Sequence, residues 1–176
     1  LSRIPTYLTM LTCGKIDGKA VPTATRVRAA TLAVDAANGF AYPAIDLALK
    51  ELPAIVRETG IAAATIARSN HAGALGAHVE KLADARLIAL FFANTPEAIA
   101  PAGGTKAVYG TNPIAFACPL PGRPAIVVDL ALSTVARGNI VAANQKGEPI
   151  PEGWALDPDG NPTTAAAKAL KGTMVA

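Results

Sequence analysis

Charge, aromatic rings and cysteine are all scarce in this sequence. Of its 176 residues 16% are charged and 5% aromatic, while 51% are hydrophobic. So apolar a chain is not a polymer held unfolded by self-repulsion, and so few rings leave little platform for stacking single-stranded bases. The 16 lysines and arginines give a net charge of +3 and a pI near 9.0, yet they are scattered with no run of three, so no nucleic-acid partner is indicated. Cys13 and Cys118 stand far apart with no CxxC and no Cys/His cluster, which argues against a metal site and for a reduced, cytoplasmic protein. Glycine, proline or a charge interrupts every apolar run before the roughly 18 residues of a bilayer span, so no membrane is expected either. No GxGxxG follows a strand and no GxxxxGK[ST] occurs, which removes the Rossmann fingerprint and the P-loop.

Glycine and proline are plentiful, 15 and 14 residues, so many short elements joined by tight turns are expected. The length suits one ordinary domain. The sequence opens at Leu1 without an initiator methionine and with a helical pattern already under way, as a piece of a longer chain would.

Ile4, Tyr7, Leu8 and Leu11 recur at helical steps, so the first helix is expected to run from Leu1 to Cys13, with Gly14 as its stop. Alternation over Thr25–Asp35 predicts one strand, with Asn38-Gly39 as a turn. A helix is expected over Ala44–Thr59, kinked or divided by Pro53, then a buried strand over Ile61–Ala67, an amphipathic helix over Ala72–Ala85 and a strand over Leu87–Ala93. Beyond Asn94, Gly and Pro punctuate strand-length pieces at Ile114–Cys118 and Ala125–Ala131. The stretch Gly147–Thr164 is turn chemistry, and Ala165–Leu170 reads as a short helix. Helices alternating with strands, followed by short antiparallel additions, make an α/β chain of mixed α+β character.

Four places can hold chemistry. Ser69-Asn70-His71-Ala72-Gly73 joins a strand end to a helix start, where free N–H groups bind anions; the same residues serve equally as a plain helix cap. Gly110-Thr111-Asn112-Pro113 can grip a small polar ligand or simply turn the chain. Asp129-Leu130-Ala131, ending an apolar strand, suits a ribose hydroxyl or caps the helix after it. Arg3, one turn before Tyr7, can fork onto a carboxylate or stay solvated.

Together, SRIPTY, SNHAG, APAGG, YGTNPIAFACP, VVDLALSTVARGNI and IPEGWALDPDGNPTT, in this order, resemble the malate/L-lactate dehydrogenase family of nicotinamide-dependent oxidoreductases. The resemblance spans essentially the whole chain. Within the family, GFAYPA with DLALSTVARGN is most similar to the Δ1-piperideine-2-carboxylate/Δ1-pyrroline-2-carboxylate reductases. It implies a non-Rossmann nicotinamide-binding fold, with a mixed, largely antiparallel sheet flanked by helices, and a homodimer. It also implies a helical segment over 1–24 and a cofactor-binding domain over 25–176. NADPH is the expected cofactor, with NADH not distinguished, and the substrate is a small imino acid reduced to L-pipecolate or L-proline, or a 2-oxo acid in the hydroxy-acid branch.

By the same resemblance, Arg3 is the substrate-carboxylate arginine and Thr111 a substrate contact, and Arg137 and Gly138 line the ligand site. His71, Ala72, Gly73, Ala74 and Leu75 form one cofactor-binding segment; Asp129, Leu130 and Ala131 form another. Two departures stand out. The family's proton-donating histidine belongs to a Ser-His-Gly triplet just ahead of Leu1, and Asn139 occupies the position of a relay carboxylate, where an amide can orient a neighbour but not carry charge. The resemblance therefore leads us to expect that the chain alone binds without turning over. A non-catalytic nucleotide-binding remnant is the alternative from outside enzymology.

Overall fold

Pro5, with its φ already helical, opens the first helix α1 (Ile4–Thr12). The chain turns out of α1 where Cys13 donates its N–H to the Thr9 carbonyl. This computed structural model describes residues 3–176, so Leu1 and Ser2 of the expected helix lie outside the described residues. The chain divides into two compact units, Leu1–Ala89 with Ala117–Val127, and Leu90–Phe116 with Val128–Ala176.

The first unit contains β1 (Thr23–Arg28), β2 (Thr31–Asp35), α2 (Ala41–Thr59), β3 (Ala63–Ala67) and α3 (Gly76–Asp84) after α1. The single strand expected over Thr25–Asp35 is in fact a hairpin: β1 pairs antiparallel with β2, with Ala24 opposite Val34, and turns at Ala29-Ala30. The Arg26 guanidinium folds back onto the Ala29 carbonyl, 2.9 Å from Nε, and supplies the closing contact that no turn residue announces. α2 is the crossover from β2 to the parallel strand β3, a βαβ unit. It starts three residues earlier than expected and passes undivided through Pro53 to Gly60.

Leu32 and Val34 of β2 face Ala44, Ala48 and Ile55 of α2, the core of this unit. Burying Leu32, Val34 and Ile55 contributes about 1.5–3 kcal/mol each. β3 is not the buried strand expected, because Ala63, Thr65 and Ala67 are exposed. The helix expected from Ala72 begins only at Gly76, and neither Ser69 nor Asn70 caps it: Leu75 is its N-cap and no side chain serves. Asn70 instead accepts the His71 amide on its Oδ1 at 2.8 Å.

Asp35 and Arg68 form a fork across the ends of β2 and β3, Nε to Oδ1 at 2.9 Å, and Asp35 also accepts the Ala37 amide. The Arg68 hydrogen bond first, then that amide, hold the Asp35 carboxyl below its ordinary value. A carboxylate depressed by folding adds stability above its unfolded pKa and loses it as pH falls through the folded one. Stability should therefore decline on the acid side of about pH 4. In Arg68→Ala that part of the decline should flatten in urea-unfolding midpoints collected from pH 3 to 7; identical acid slopes in both proteins would refute it.

The second unit holds most of β4 (Ala89–Phe92), then β5 (Glu97–Ile99), β6 (Tyr109–Gly110), β9 (Ala155–Leu156) and β10 (Thr173–Met174), with α4 (Arg137–Lys146) and α5 (Ala166–Ala169), while β7 (Ile114–Leu120) and β8 (Arg123–Leu130) are divided between the two units. The chain passes between the units within β7 and β8. Among the described residues the strands form three small sheets, in the orders β1-β2-β3, β6-β5-β10-β9 and β4-β7-β8. The second is mixed, since β10 runs parallel to β5 and antiparallel to β9. Its core gathers Ile99, Val135, Ile140, Ile150 and Met174, with Trp154 and Leu170 against it. Mixed sheets flanked by helices, with both parallel and antiparallel pairs, are the α/β character that the sequence predicts.

Candidate functional site

In the first unit α1 and the segment leading into α3 meet through hydroxyls. The Tyr7 hydroxyl lies 2.7 Å from Nδ1 of His71 and 3.2 Å from the hydroxyl of Tyr42. Its ring stands edge-on to Phe40 with centroids 5.6 Å apart. Burial, with the Tyr42 hydroxyl, pushes the Tyr7 phenol up to about 12, against a smaller opposing pull from Arg3. Burial also holds the His71 imidazole below its ordinary value, and the Arg3 charge adds to that. Arg3, the N-cap of α1, is thus close enough for its charge to act on both groups, and among the described residues it forms no ion pair.

The 71–75 segment is irregular and held from both sides. Gly73 has φ +74°, and a Cβ there would come within 2.5 Å of the Tyr42 hydroxyl, so the backbone passes directly against that ring. His78 on α3 donates from Nε2 to the Ala72 carbonyl at 2.8 Å and its ring lies 6.1 Å from that of Tyr42. It is buried, so its work is to support the segment. Ala74 is exposed and Leu75 buried. Tyr42 was not among the residues singled out from the sequence, although it stands in GFAYPA; nothing in its spacing marks it as a partner of Tyr7, 35 residues away.

In the second unit Thr111 is half-buried and hydroxyl-bonded to Thr95 at 3.2 Å, while Asn112 Oδ1 accepts the Thr95 amide at 3.0 Å. Thr95 is a second residue that sequence reasoning missed. The Thr111 carbonyl accepts the Leu132 amide at 2.8 Å, which ties the Thr111 turn to the end of β8 just after Asp129, Leu130 and Ala131. Asp129 and Leu130 are exposed there. Asp129 does not cap the helix after it: Ala136 is the N-cap of α4, without a side-chain bond. Arg137, Gly138 and Asn139 form the exposed first turn of α4, where the Asn139 amide donates to the Ala136 carbonyl at 2.9 Å and the Arg137 guanidinium reaches the Leu170 carbonyl at 3.5 Å. A Cβ on Gly138 would meet nothing within 4 Å.

Among the described residues, no group of three His, Cys, Asp or Glu is placed to hold a metal ion, and no helix is long and apolar enough to cross a membrane. Cys13 and Cys118 are unpaired.

The comparisons with known proteins place this mixed α/β fold among the oxidoreductases. The pattern of the malate/L-lactate dehydrogenase family matches residues 1–176, and the chain belongs to that family. It is 47% identical over 175 residues to the (2R)-3-sulfolactate dehydrogenase (NADP(+)) of Chromohalobacter salexigens, covering 99% of this chain and 52% of that protein. It is 44% identical to the Δ1-pyrroline-2-carboxylate/Δ1-piperideine-2-carboxylate reductase of Pseudomonas aeruginosa, over 94% of this chain and 49% of that one. The crystal structure of Δ1-piperideine-2-carboxylate reductase from Pseudomonas syringae superposes with a TM-score of 0.94 at 41% identity, over 99% of this chain and 53% of the other. The chain therefore spans about half the length of these relatives.

Proposed function

We propose that the protein reduces cyclic imino acids with NADPH, converting Δ1-piperideine-2-carboxylate to L-pipecolate and Δ1-pyrroline-2-carboxylate to L-proline. The observation that carries this reading is the Arg3–Tyr7–His71 cluster, a cation that forms no ion pair among the described residues, beside an imidazole whose proton affinity is lowered. Such a pairing suits a small carboxylate, since a guanidinium grips two oxygens and a neutral ring adds a hydrogen bond without a second charge. A nicotinamide cofactor is supported by the 47% identity to a dehydrogenase named for NADP(+).

When bound, the reduced nicotinamide supplies hydride to the C=N carbon, and the nitrogen takes a proton. The chain's own part in this reading is to bind and orient. Arg3 holds the carboxylate, with Thr111, Arg137 and Gly138 as further substrate contacts. His71 to Leu75 and Asp129 to Ala131 hold the cofactor, and Asn139 orients a neighbour from the relay position. The helical segment 1–24, the cofactor-binding region 25–176, a cytoplasmic location and a homodimer belong to the same reading. Exposed Leu90, Phe92, Val128 and Leu130 support the last by offering apolar surface for a second copy.

NADPH titrated into the chain should perturb the fluorescence of Trp154, which packs on the core of the second unit; no saturable change would count against the cofactor. The 47% identity to a sulfolactate dehydrogenase favours a second reading, a 2-hydroxy-acid dehydrogenase. Side-by-side assays of the whole protein with the two cyclic imines, pyruvate, oxaloacetate and sulfopyruvate separate the two. A preference for the imines supports the first reading, and a preference for the oxo acids replaces it with the second.

A further inference from the structure

We infer that Tyr7 is a positioning residue that fixes His71 in its Nε2–H form, so that the imidazole presents one aimed hydrogen-bond donor to the bound nicotinamide cofactor. The donor's target rests on the cofactor reading above; the form of the ring does not. Two proton arrangements satisfy the distances of 2.7 Å from Tyr7 to His71 Nδ1 and 3.2 Å from Tyr7 to Tyr42 with the Tyr7 proton used in one of the two bonds; a third, in which its oxygen accepts from both, leaves that proton unbonded. A phenol O–H is a stronger acid than an imidazole N–H, and a ring nitrogen a stronger base than a phenol oxygen. The favoured order therefore runs from the Tyr42 hydroxyl to the Tyr7 oxygen and from the Tyr7 hydroxyl to Nδ1. A neutral imidazole that accepts at Nδ1 must carry its proton on Nε2.

The parts around it make that order rigid. The edge-on contact with Phe40 sets the Tyr7 ring, and the Tyr7 backbone is held in α1 by its N–H donating to the Arg3 carbonyl at 3.0 Å. Tyr42 is fixed against the Gly73 backbone and beside His78, so both ends of the hydroxyl pair are anchored. Arg3 disfavours the imidazolium, whose extra N–H would turn Nδ1 from an acceptor into a donor against Tyr7. Among the described residues no hydrogen bond is made by Nε2 of His71, which leaves it to the ligand.

The test reads the ring directly. Long-range 1H–15N spectra of the labelled chain near neutral pH should show His71 bare at Nδ1 and protonated at Nε2. His78, which donates from Nε2 to Ala72, provides a reference for the same form within one protein. In Tyr7→Phe the two forms of His71 should mix while those of His78 stay, and NADPH affinity should fall about two- to tenfold, the worth of one neutral hydrogen bond. Tyr42→Phe removes only the donor behind Tyr7 and should keep the Nε2–H form. A wild-type His71 protonated at Nδ1, or one unchanged in Tyr7→Phe, overturns the assignment. Because the wild-type spectrum alone decides the first point, a variant that fails to fold does not rescue it. An Nε2–H His71 in a chain that binds no NADPH overturns the cofactor reading and the donor's target, and leaves the positioning of the ring standing.

Discussion

Replacing Gly110 with alanine is expected to lower the unfolding free energy by about 1–3 kcal/mol, the usual penalty for forcing atoms into a filled site. Gly110 is buried in β6 opposite Glu97 of β5. A Cβ there would collide with the Thr95 carbonyl oxygen, the Thr95 hydroxyl and Oδ1 of Asn112. The first of these is backbone, so no rotamer change relieves it and the strand must move. The movement falls on the group that holds Thr111, because Thr95 binds both the Thr111 hydroxyl and the Asn112 side chain. The variant should therefore lose stability and substrate affinity together. Gly138→Ala is the contrasting case. Its Cβ enters open space and alanine favours a helix over glycine by about 1 kcal/mol, so stability should hold or rise while any loss of ligand binding reports the site alone. Urea midpoints and slopes of the two variants beside the parent measure this. A Gly110→Ala midpoint equal to the parent's would mean that the strand yields without cost.

Where a single residue type dictates backbone behaviour, the sequence was readable. Gly14 and Gly60 stand at the ends of α1 and α2 with positive φ, and Ile45, Leu49, Leu52 and Val56 recur at helical steps along α2. The β1–β2 hairpin was hidden because Ala29-Ala30 continues the alternation and the turn is closed by an arginine three residues earlier, not by Gly, Asn or Pro. α4 was hidden because it buries only Ile140, so no apolar stripe runs along it. The expected start of α3 lies four residues early, since Ala72, Ala74 and Leu75 suit a helix, whereas Gly73 takes a positive φ against the Tyr42 ring. β5, β6 and β10 are three, two and two residues long, shorter than any period can declare. The candidate site divides in the same way. Arg3, His71 and Thr111 stood out by type and neighbours, whereas Tyr42 and Thr95 act through contacts 35 and 16 residues away in sequence.

Arg3→Ala is expected to weaken binding of a small substrate carboxylate about tenfold to 100-fold, the worth of hydrogen bonds to a charged partner, and to change His71 at the same time. In the parent, burial first and then the Arg3 cation hold the His71 imidazole below its ordinary value. A histidine whose pKa folding depresses adds stability that is present above the unfolded pKa, about 6.5, and lost as pH falls through the folded one. Removing the cation should raise the His71 pKa toward 6.5 and shrink that acid-side loss. Arg3→Lys separates charge from shape: an ammonium preserves most of the influence on His71, but it cannot fork onto two oxygens, so only part of the affinity should return. Calorimetric titration with the cyclic imino acid and NMR titration of the His71 ring read the two effects independently. Unchanged carboxylate affinity in Arg3→Ala would remove Arg3 from the site, and an unmoved His71 titration would mean that burial alone sets the ring's proton affinity.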